Sequence, residues 1–322
     1  MVDKVRWGIL GPGKIAHKFA KGLAVVDQAE LVAVGSRSLQ RANEFANQYQ
    51  IPRRYGNYQD LIHDKDIDII YIATPHPFHY EQTLLCLDAG KAVLCEKPIA
   101  IKSQQLEQMI KRSREKQVFL MEAMWTRFLP TIAKVRQWLA EDRIGQVRMV
   151  KADFGFRIGW NPTSRLLDLD LAGGGLLDVG VYTISLAQMI YGSAPTRVKG
   201  LAHIGDSGVD EQAGITLGYK DGQLAILTCA VRTKIPHNAD ILGTEGSIHI
   251  PSFWKAQSAT LRVGDKVVDH IDQPFRSNGY EYEALEAIRC LRAGKLESEI
   301  MSHDESLEIL QIVDTLQAQW YR

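Results

Sequence analysis

The sequence predicts two domains: an α/β unit built on a parallel sheet over residues 1–122, and an α+β unit with a large, mostly antiparallel sheet over residues 123–322. Three observations carry that prediction. Apolar strand-like runs alternate with helical patterns up to about residue 122, the rhythm of a parallel sheet joined by right-handed crossovers. Beyond Trp125, short strands follow one another across links such as Lys220-Asp221-Gly222 and Thr244-Glu245-Gly246, whose turn chemistry favours antiparallel hairpins. The chain also has 322 residues, 45% of them hydrophobic, and single cores stop growing near ~250 to 300 residues.

In order, the first part reads as strand 5–10, helix 14–26, strand 31–35, helix 39–50, strand 67–73, helix 78–89 and strand 92–95. A helix over 103–116, opened by a serine cap, leads to a strand at 118–121. The second part begins with a helix at 130–141. Strands follow at 147–156, 198–203, 213–219, 223–231, 239–242, 247–250, 260–263 and 266–271. Helices at 175–191, 280–293 and 303–320 are expected to cover one face of their sheet. There is no internal repeat.

Composition narrows the function classes. Basic and acidic residues both total 38, so no global field draws the chain to nucleic acid or an anionic membrane. Cys86, Cys95, Cys229 and Cys290 are far apart and lack metal or redox spacing, which reads as reduced thiols in a cytosolic protein. Met1 to Trp7 run straight into a strand without an apolar signal core, and no stretch reaches the ~20 apolar residues of a membrane span. A soluble, cytoplasmic protein is expected.

Val5 to Ala16 form strand, tight turn and helix start, with Gly11, Gly13 and Ala16 matching the Gly-x-Gly-x-x-Gly/Ala fingerprint. Small residues let the backbone approach a pyrophosphate, and the first helical residues, Lys14 and Ile15, present unpaired N–H groups at the positive end of the helix dipole. The second strand ends Val34-Gly35-Ser36-Arg37-Ser38. An NAD site usually has a carboxylate there for the ribose 2′-hydroxyl. Here Arg37 can pair with a 2′-phosphate and Ser36 can donate to it, so NADP is favoured and NAD is the other candidate. Alone, Arg37 also reads as a surface loop arginine.

Thr74, His76 and His79 follow the next long strand and are expected beneath the nicotinamide ribose. The two histidines lack a third ligand of matching spacing, so no metal is expected. Ala92-Val93-Leu94-Cys95-Glu96-Lys97-Pro98 ends a buried strand on a lysine. Open α/β sheets bind ligands outside the carboxyl ends of their strands, and Pro98 stops the strand and holds the lysine's backbone. Lys97 therefore reads as a reactive-centre residue, or, taken alone, as a solvated lysine. Glu96 completes the expected cofactor set, with Trp125 and Arg127 where the first domain ends.

The glycine turn, Glu96-Lys97-Pro98 and Asp178-Val179-Gly180-Val181-Tyr182, in that order, resemble the glucose-fructose oxidoreductase, inositol dehydrogenase and MocA family of NAD(P)-dependent oxidoreductases over essentially the whole chain. Cys95 to Pro98, Met121 to Phe128 and Gly173 to Asp178 look most like its dihydrodiol branch, which also oxidises D-xylose with NADP. The resemblance implies a Rossmann domain followed by an open-faced sheet domain that often dimerises through the sheet. It assigns Lys97 to catalysis and Tyr182 to proton transfer. Many relatives have histidine at the position of Tyr182, so this chain departs from the sugar and inositol branch there.

The chemistry of these residues is consistent with that assignment. Hydride leaves a carbon only as its hydroxyl loses a proton, which needs a base and a positive charge for the developing alkoxide. Tyrosine's ordinary pKa of ~10 is too high for a base at neutral pH, but a neighbouring ammonium favours phenolate. Tyr182 is thus the expected acid-base group, assisted by Lys97; the other partition makes Lys97 the proton carrier. Asp178, four residues before Tyr182, is expected on the same helix face, orienting substrate or Lys97.

Trp125, Phe154, Phe156, Trp160 and Tyr280 are candidates for an aromatic wall over a ring substrate. Phe154 and Phe156 lie two apart on one strand and read equally as core. The expected activity is an NADP-dependent dehydrogenase of a ring hydroxyl in a cyclic diol or aldopyranose, of the trans-dihydrodiol or D-xylose type. The alternatives are a non-catalytic NAD(P)-binding sensor and a reductase running in reverse. A sheet face rich in Val, Ile and Leu over residues 213–250 suggests a homodimer.

Overall fold

The computed structural model describes residues 4–321; Met1 to Asp3, part of the expected start without a signal core, lie outside them. In the first part, β1 (Val5–Leu10), β2 (Ala29–Gly35), β3 (Arg53–Tyr55), β4 (Ile69–Ile72), β5 (Ala92–Glu96) and β6 (Leu120–Ala123) make one sheet ordered β3-β2-β1-β4-β5-β6. Every pair is parallel. β4, β5 and β6 are buried along their whole length, as expected of strands covered on both faces. The helices are α1 (Lys14–Leu23), α2 (Leu39–Tyr49), α3 (Tyr58–Ile62), α4 (His79–Asp88) and α5 (Ser103–Lys116). Phe19 of α1 stacks on Tyr71 of β4, ring centroids 3.8 Å apart, which seats the helix on the sheet.

The Rossmann expectation is thus met, with local differences. β3 and α3 are additions, three and five residues long, too short to show a period. Ser103 is the first helical residue of α5 rather than its cap, which is Lys102 without a capping side chain.

The second part holds α6 (Pro130–Ala140), β7 (Val147–Gly155), a π-helical turn at Leu176–Gly180, α7 (Val181–Tyr191), β8 (Arg197–Ile204), β9 (Asp210–Gly218), β10 (Leu224–Ala230), β11 (Ala239–Gly243), β12 (Gly246–Ile250), β13 (Ser258–Val263) and β14 (Lys266–Asp272). The eight strands are ordered β14-β13-β12-β11-β7-β10-β9-β8. All neighbours are antiparallel except β7 and β10. Residues Val181 to Gln188 of α7 are all buried, so α7 is a core helix and shows no amphipathic stripe.

α8 (Glu281–Arg292) and α9 (His303–Trp320) end the chain. Contacts divide it into a unit up to Trp125 with Phe275–Ser306, and a unit of Thr126–Pro274 with Leu307 onward. A single cut at residue 122 therefore does not describe the division, and α8 belongs to the first unit. The reason lies on α1. A side chain at Gly22 would come within 3.0 Å of Tyr280 Cβ and the Glu281 nitrogen, and Asn278 Nδ2 donates to the Lys18 carbonyl at 2.8 Å. In the other unit, Trp320 of α9 donates to the Gly200 carbonyl of β8 at 2.9 Å.

The outer face of the large sheet is less apolar than expected. Strand alternation turns Ile215, Leu217, Leu227, Ile241 and Ile248 inward. Among the large hydrophobic residues described over 213–250, Ile226 alone is notably exposed, at 38%, and Leu201 of β8 adds 85%. No helix among the described residues is long and apolar enough to cross a membrane.

Candidate functional site

In the first unit, strand order reverses between β1 and β4, and the crevice beyond their carboxyl ends is where doubly wound sheets bind ligands. Gly11 makes the turn there with φ +95°, its N–H held by the Gly35 carbonyl at 3.0 Å. A Cβ at Gly11 would lie 2.8 Å from Thr74 Cγ2. Gly13 precedes α1 in extended conformation, so the N–H groups of Lys14 and Ile15 lie in the first turn, where a helix leaves donors unpaired. A cavity of about 430 Å³ opens at this turn, lined by Gly11, Gly13 and Thr74 on one side and Ser36, Arg37 and Ser38 on the other. This is a cradle of bare backbone and donors, fit for a pyrophosphate.

Among the other residues that line that cavity, Arg41 and Tyr58 carry polar side chains and were not singled out in the sequence. Arg41 lies in the first turn of α2, its N–H donating to Ser38 Oγ at 3.4 Å; its spacing from Arg37 was the available signal. Ser36 Oγ accepts the Ser38 N–H at 3.2 Å. Burial raises the Tyr58 pKa, and the Arg37 guanidinium beside it draws it back. Arg37 also lies over the Phe78 ring, 5.8 Å from its centroid. No carboxylate ends β2.

β5 delivers Glu96, buried, and Lys97, half-buried. Tyr71 donates its hydroxyl to Glu96 Oε1, and Glu96 Oε2 accepts the Lys97 N–H at 3.2 Å. Glu96 thus braces the lysine's backbone. Burial, and then Glu96 nearby, push the Glu283 carboxyl of α8 well above the ordinary range. His79 is fully buried; its Nδ1 lies 2.9 Å from the Pro98 carbonyl and its Nε2 2.8 Å from that of Thr74. His79 thus ties the two loops that carry Thr74 and Lys97. His76 is buried as well. Trp125 is buried against Tyr280, the rings stacked at 4.5 Å and 9°, which makes this pair packing within the first unit.

In the second unit, Asp178 and Tyr182 do not stand on successive turns of one α-helix. Asp178 lies in the π-helical turn, which closes with the Val181 N–H on the Leu176 carbonyl, and Tyr182 follows in α7. Such turns are rare and frequent at functional sites. Asp178 accepts from Arg165 Nη2 at 2.7 Å, a residue on a loop with no sequence signal of its own. Tyr182 meets Phe154 edge-on at 5.2 Å, and Phe154 stacks on Trp254 at 4.8 Å and 15°. Phe154 is buried, so it walls Tyr182 as part of the core. Phe156 is half-buried, 6.4 Å from Phe154. Trp160 is exposed, with Arg232 5.6 Å from its ring centroid. Arg127, expected at the cofactor, belongs to this unit, buried, its Nε donating to Ser185 of α7 at 2.9 Å.

Residues 5–124 match the model of an oxidoreductase family with an NAD-binding Rossmann fold, and residues 132–249 that of a GFO/IDH/MocA C-terminal domain. The chain is 39% identical to a trans-1,2-dihydrobenzene-1,2-diol dehydrogenase from Danio rerio over 98% of its length and 96% of that protein's. It is 34% identical to the Homo sapiens protein of that name, over 96% and 95%. Among solved structures, an aldose-aldose oxidoreductase from Caulobacter crescentus, complexed with glycerol, superposes with a TM-score of 0.89 at 25% identity, covering 97% of this chain and 96% of that one.

Replacing Gly11 by alanine places a Cβ against Thr74 at a positive φ that side chains rarely adopt. The expected outcome is a loss of at least about tenfold in nicotinamide dinucleotide affinity, from a strained and displaced turn. Fluorescence titration with the reduced cofactor checks it, with circular dichroism confirming the fold.

Proposed function

We propose that this chain, which belongs to the GFO/IDH/MocA family of oxidoreductases, passes hydride between NADP and a ring hydroxyl of a cyclic diol or aldopyranose, of the trans-dihydrodiol or D-xylose type. It is an NAD(P)-dependent dehydrogenase acting on CH–OH groups; the substrate class and the preference for NADP are the proposal. The observation that carries the substrate class is the near full-length match to proteins named as dihydrodiol dehydrogenases. What supports NADP is Arg37, just beyond β2, and Arg41, in the first turn of α2, which line one cavity with Ser36 and the glycine turn, while no carboxylate ends β2 to repel a phosphate.

Bound in the cradle of Gly11, Gly13 and the first turn of α1, the dinucleotide supplies the hydride acceptor. Tyr182 takes the proton of the reacting hydroxyl in oxidation and returns it in reduction. Lys97 favours the phenolate and offsets the charge developing on the alkoxide oxygen. Asp178, held by Arg165, fixes a neighbouring hydroxyl of the ring. Phe154 excludes water from one side of Tyr182. Two further parts of the proposal are a cytoplasmic setting, which suits four free and buried thiols, and a homodimer through the outer face of the large sheet, where Leu201 and Ile226 are exposed.

Three experiments test this reading. Tyr182→Phe and Lys97→Met are each expected to lower kcat at least about a hundredfold while cofactor affinity stays within about threefold; near-normal turnover in both rejects the assignment. They are assayed with a panel of diols and sugars, and cofactor binding with no reduction of NADP by any of them favours a sensor. Arg37→Ala with Arg41→Ala is expected to weaken NADP binding by about ten- to a hundredfold and leave NAD nearly unchanged, as charged hydrogen bonds of about 1.5 to 3 kcal/mol imply. Leu201→Glu is expected to convert a dimer to monomer in sedimentation velocity; a wild-type monomer rejects the interface.

A further inference from the structure

Asp210, the first residue of β9, takes no part in the chemistry above, yet it is buried beneath the glycine turn that leads to Asp178. Its Oδ2 accepts the Leu176 N–H at 2.6 Å. Its Oδ1 accepts a hydrogen bond from the Tyr321 hydroxyl at 3.2 Å, and the Asp210 backbone N–H donates to the Tyr321 hydroxyl oxygen at 2.9 Å. Gly174 lies directly on it: with φ +108°, a Cβ there would stand 2.2 Å from Asp210 Oδ1. The neighbouring Gly173 leaves a Cβ only 2.7 Å from the Leu166 carbonyl, and the Gly174 N–H donates to that carbonyl at 2.9 Å. The loop that supplies Arg165 is therefore tied to the glycine turn that Asp210 holds. Leu176 stands two residues before Asp178 and six before Tyr182.

We propose that Asp210 and Tyr321 are positioning residues for the reaction, setting where the Asp178–Arg165 pair and Tyr182 stand. The proposal rests on the reading of Tyr182 as the acid-base group. As drawn, the carboxylate accepts every bond it makes. A proton on it would displace one of those donors and loosen the turn. Burial pushes this carboxyl up to about 7, against the N–H donors that pull it down. Among the described residues, the other titratable groups facing it are Tyr321, just past α9, and Cys229 from β10, both raised by burial, so Asp210 is the group of the three that titrates near neutrality.

The consequences for activity and stability have opposite signs. Activity should fall as pH drops through about 7, when the turn loosens. Stability runs the other way: the folded-state pKa is raised above the unfolded one, so the contribution is present at low pH and lost as pH rises through about 7. A residue that merely staples the fold would move both together.

The test is a kcat and KM series from pH 5.5 to 9 on the full chain with NADP and an accepted diol, for the wild type, Asp210→Asn, Tyr321→Phe and Tyr182→Phe, with thermal melts at each pH. Asp210→Asn is expected to lower kcat about tenfold, as a small misplacement of reacting groups does, with cofactor affinity unchanged and the acidic limb near pH 7 abolished. Its melting temperature should gain on the wild type as pH rises. Tyr321→Phe should move kcat the same way by less, and it decides the matter if Asp210→Asn does not fold. An acidic limb retained in Asp210→Asn, or wild-type kcat in folded Tyr321→Phe, overturns the proposal alone. Wild-type turnover in Tyr182→Phe overturns the acid-base reading and the proposal with it.

Discussion

The closeness of the Gly11 turn to the end of β4 is the constraint on which the first unit depends. With Thr74 Cγ2 2.8 Å from where a Cβ would be, only bare backbone fits, and bare backbone is what a pyrophosphate needs to approach. The same closeness fixes where α1 starts and so seats Phe19 on Tyr71. Tyr71 in turn reaches Glu96, and Glu96 holds the Lys97 backbone. A cofactor cradle and a reactive lysine about 85 residues apart in sequence are thereby built on the adjoining ends of β1, β4 and β5.

A comparable constraint operates in the second unit. Gly173 and Gly174 admit no side chain, because carbonyls of the preceding loop and the Asp210 carboxyl occupy the space. The π-helical turn that follows is a tertiary product: its first N–H is held by Asp210, and Gly180 packs where a Cβ would lie 3.1 Å from Cys229 Sγ. Helix propensity alone does not call for it. Arg127, through Ser185, anchors the helix one turn beyond. Tyr182, the residue proposed to move the proton, thus stands on a helix whose start and middle are tied by buried polar contacts, the kind of support that precise catalytic geometry requires.

What was legible in the sequence follows from which signals are local. Continuous apolar runs at β4 and β5, the glycine turn, the missing carboxylate after β2 and the lysine before Pro98 are all written within a few residues. Features set by distant packing were not. β3 and α3 are too brief for a period, and α8 joins the first unit because Gly22 on α1 makes room for Tyr280 and Glu281. His79, His76 and Arg127 look like ligand-facing polar groups in sequence, and the fold buries each of them, with His79 set between the Pro98 and Thr74 carbonyls and Arg127 donating to Ser185. Counting Val, Ile and Leu over 213–250 overstated the outer sheet face, since alternation buries most of them. Arg165 shows its partnership with Asp178 only once the loop is folded back.

Direct hydride transfer is the central claim, and isotope labelling tests it most directly. The chain is incubated with NADP and a trans-dihydrodiol carrying deuterium on its reacting carbon, and the reduced cofactor is examined by NMR. Deuterium recovered at C4 of the nicotinamide, on one face, is the expected result. Reduced cofactor that carries only solvent hydrogen, or deuterium that washes into water while no cofactor is reduced, contradicts it.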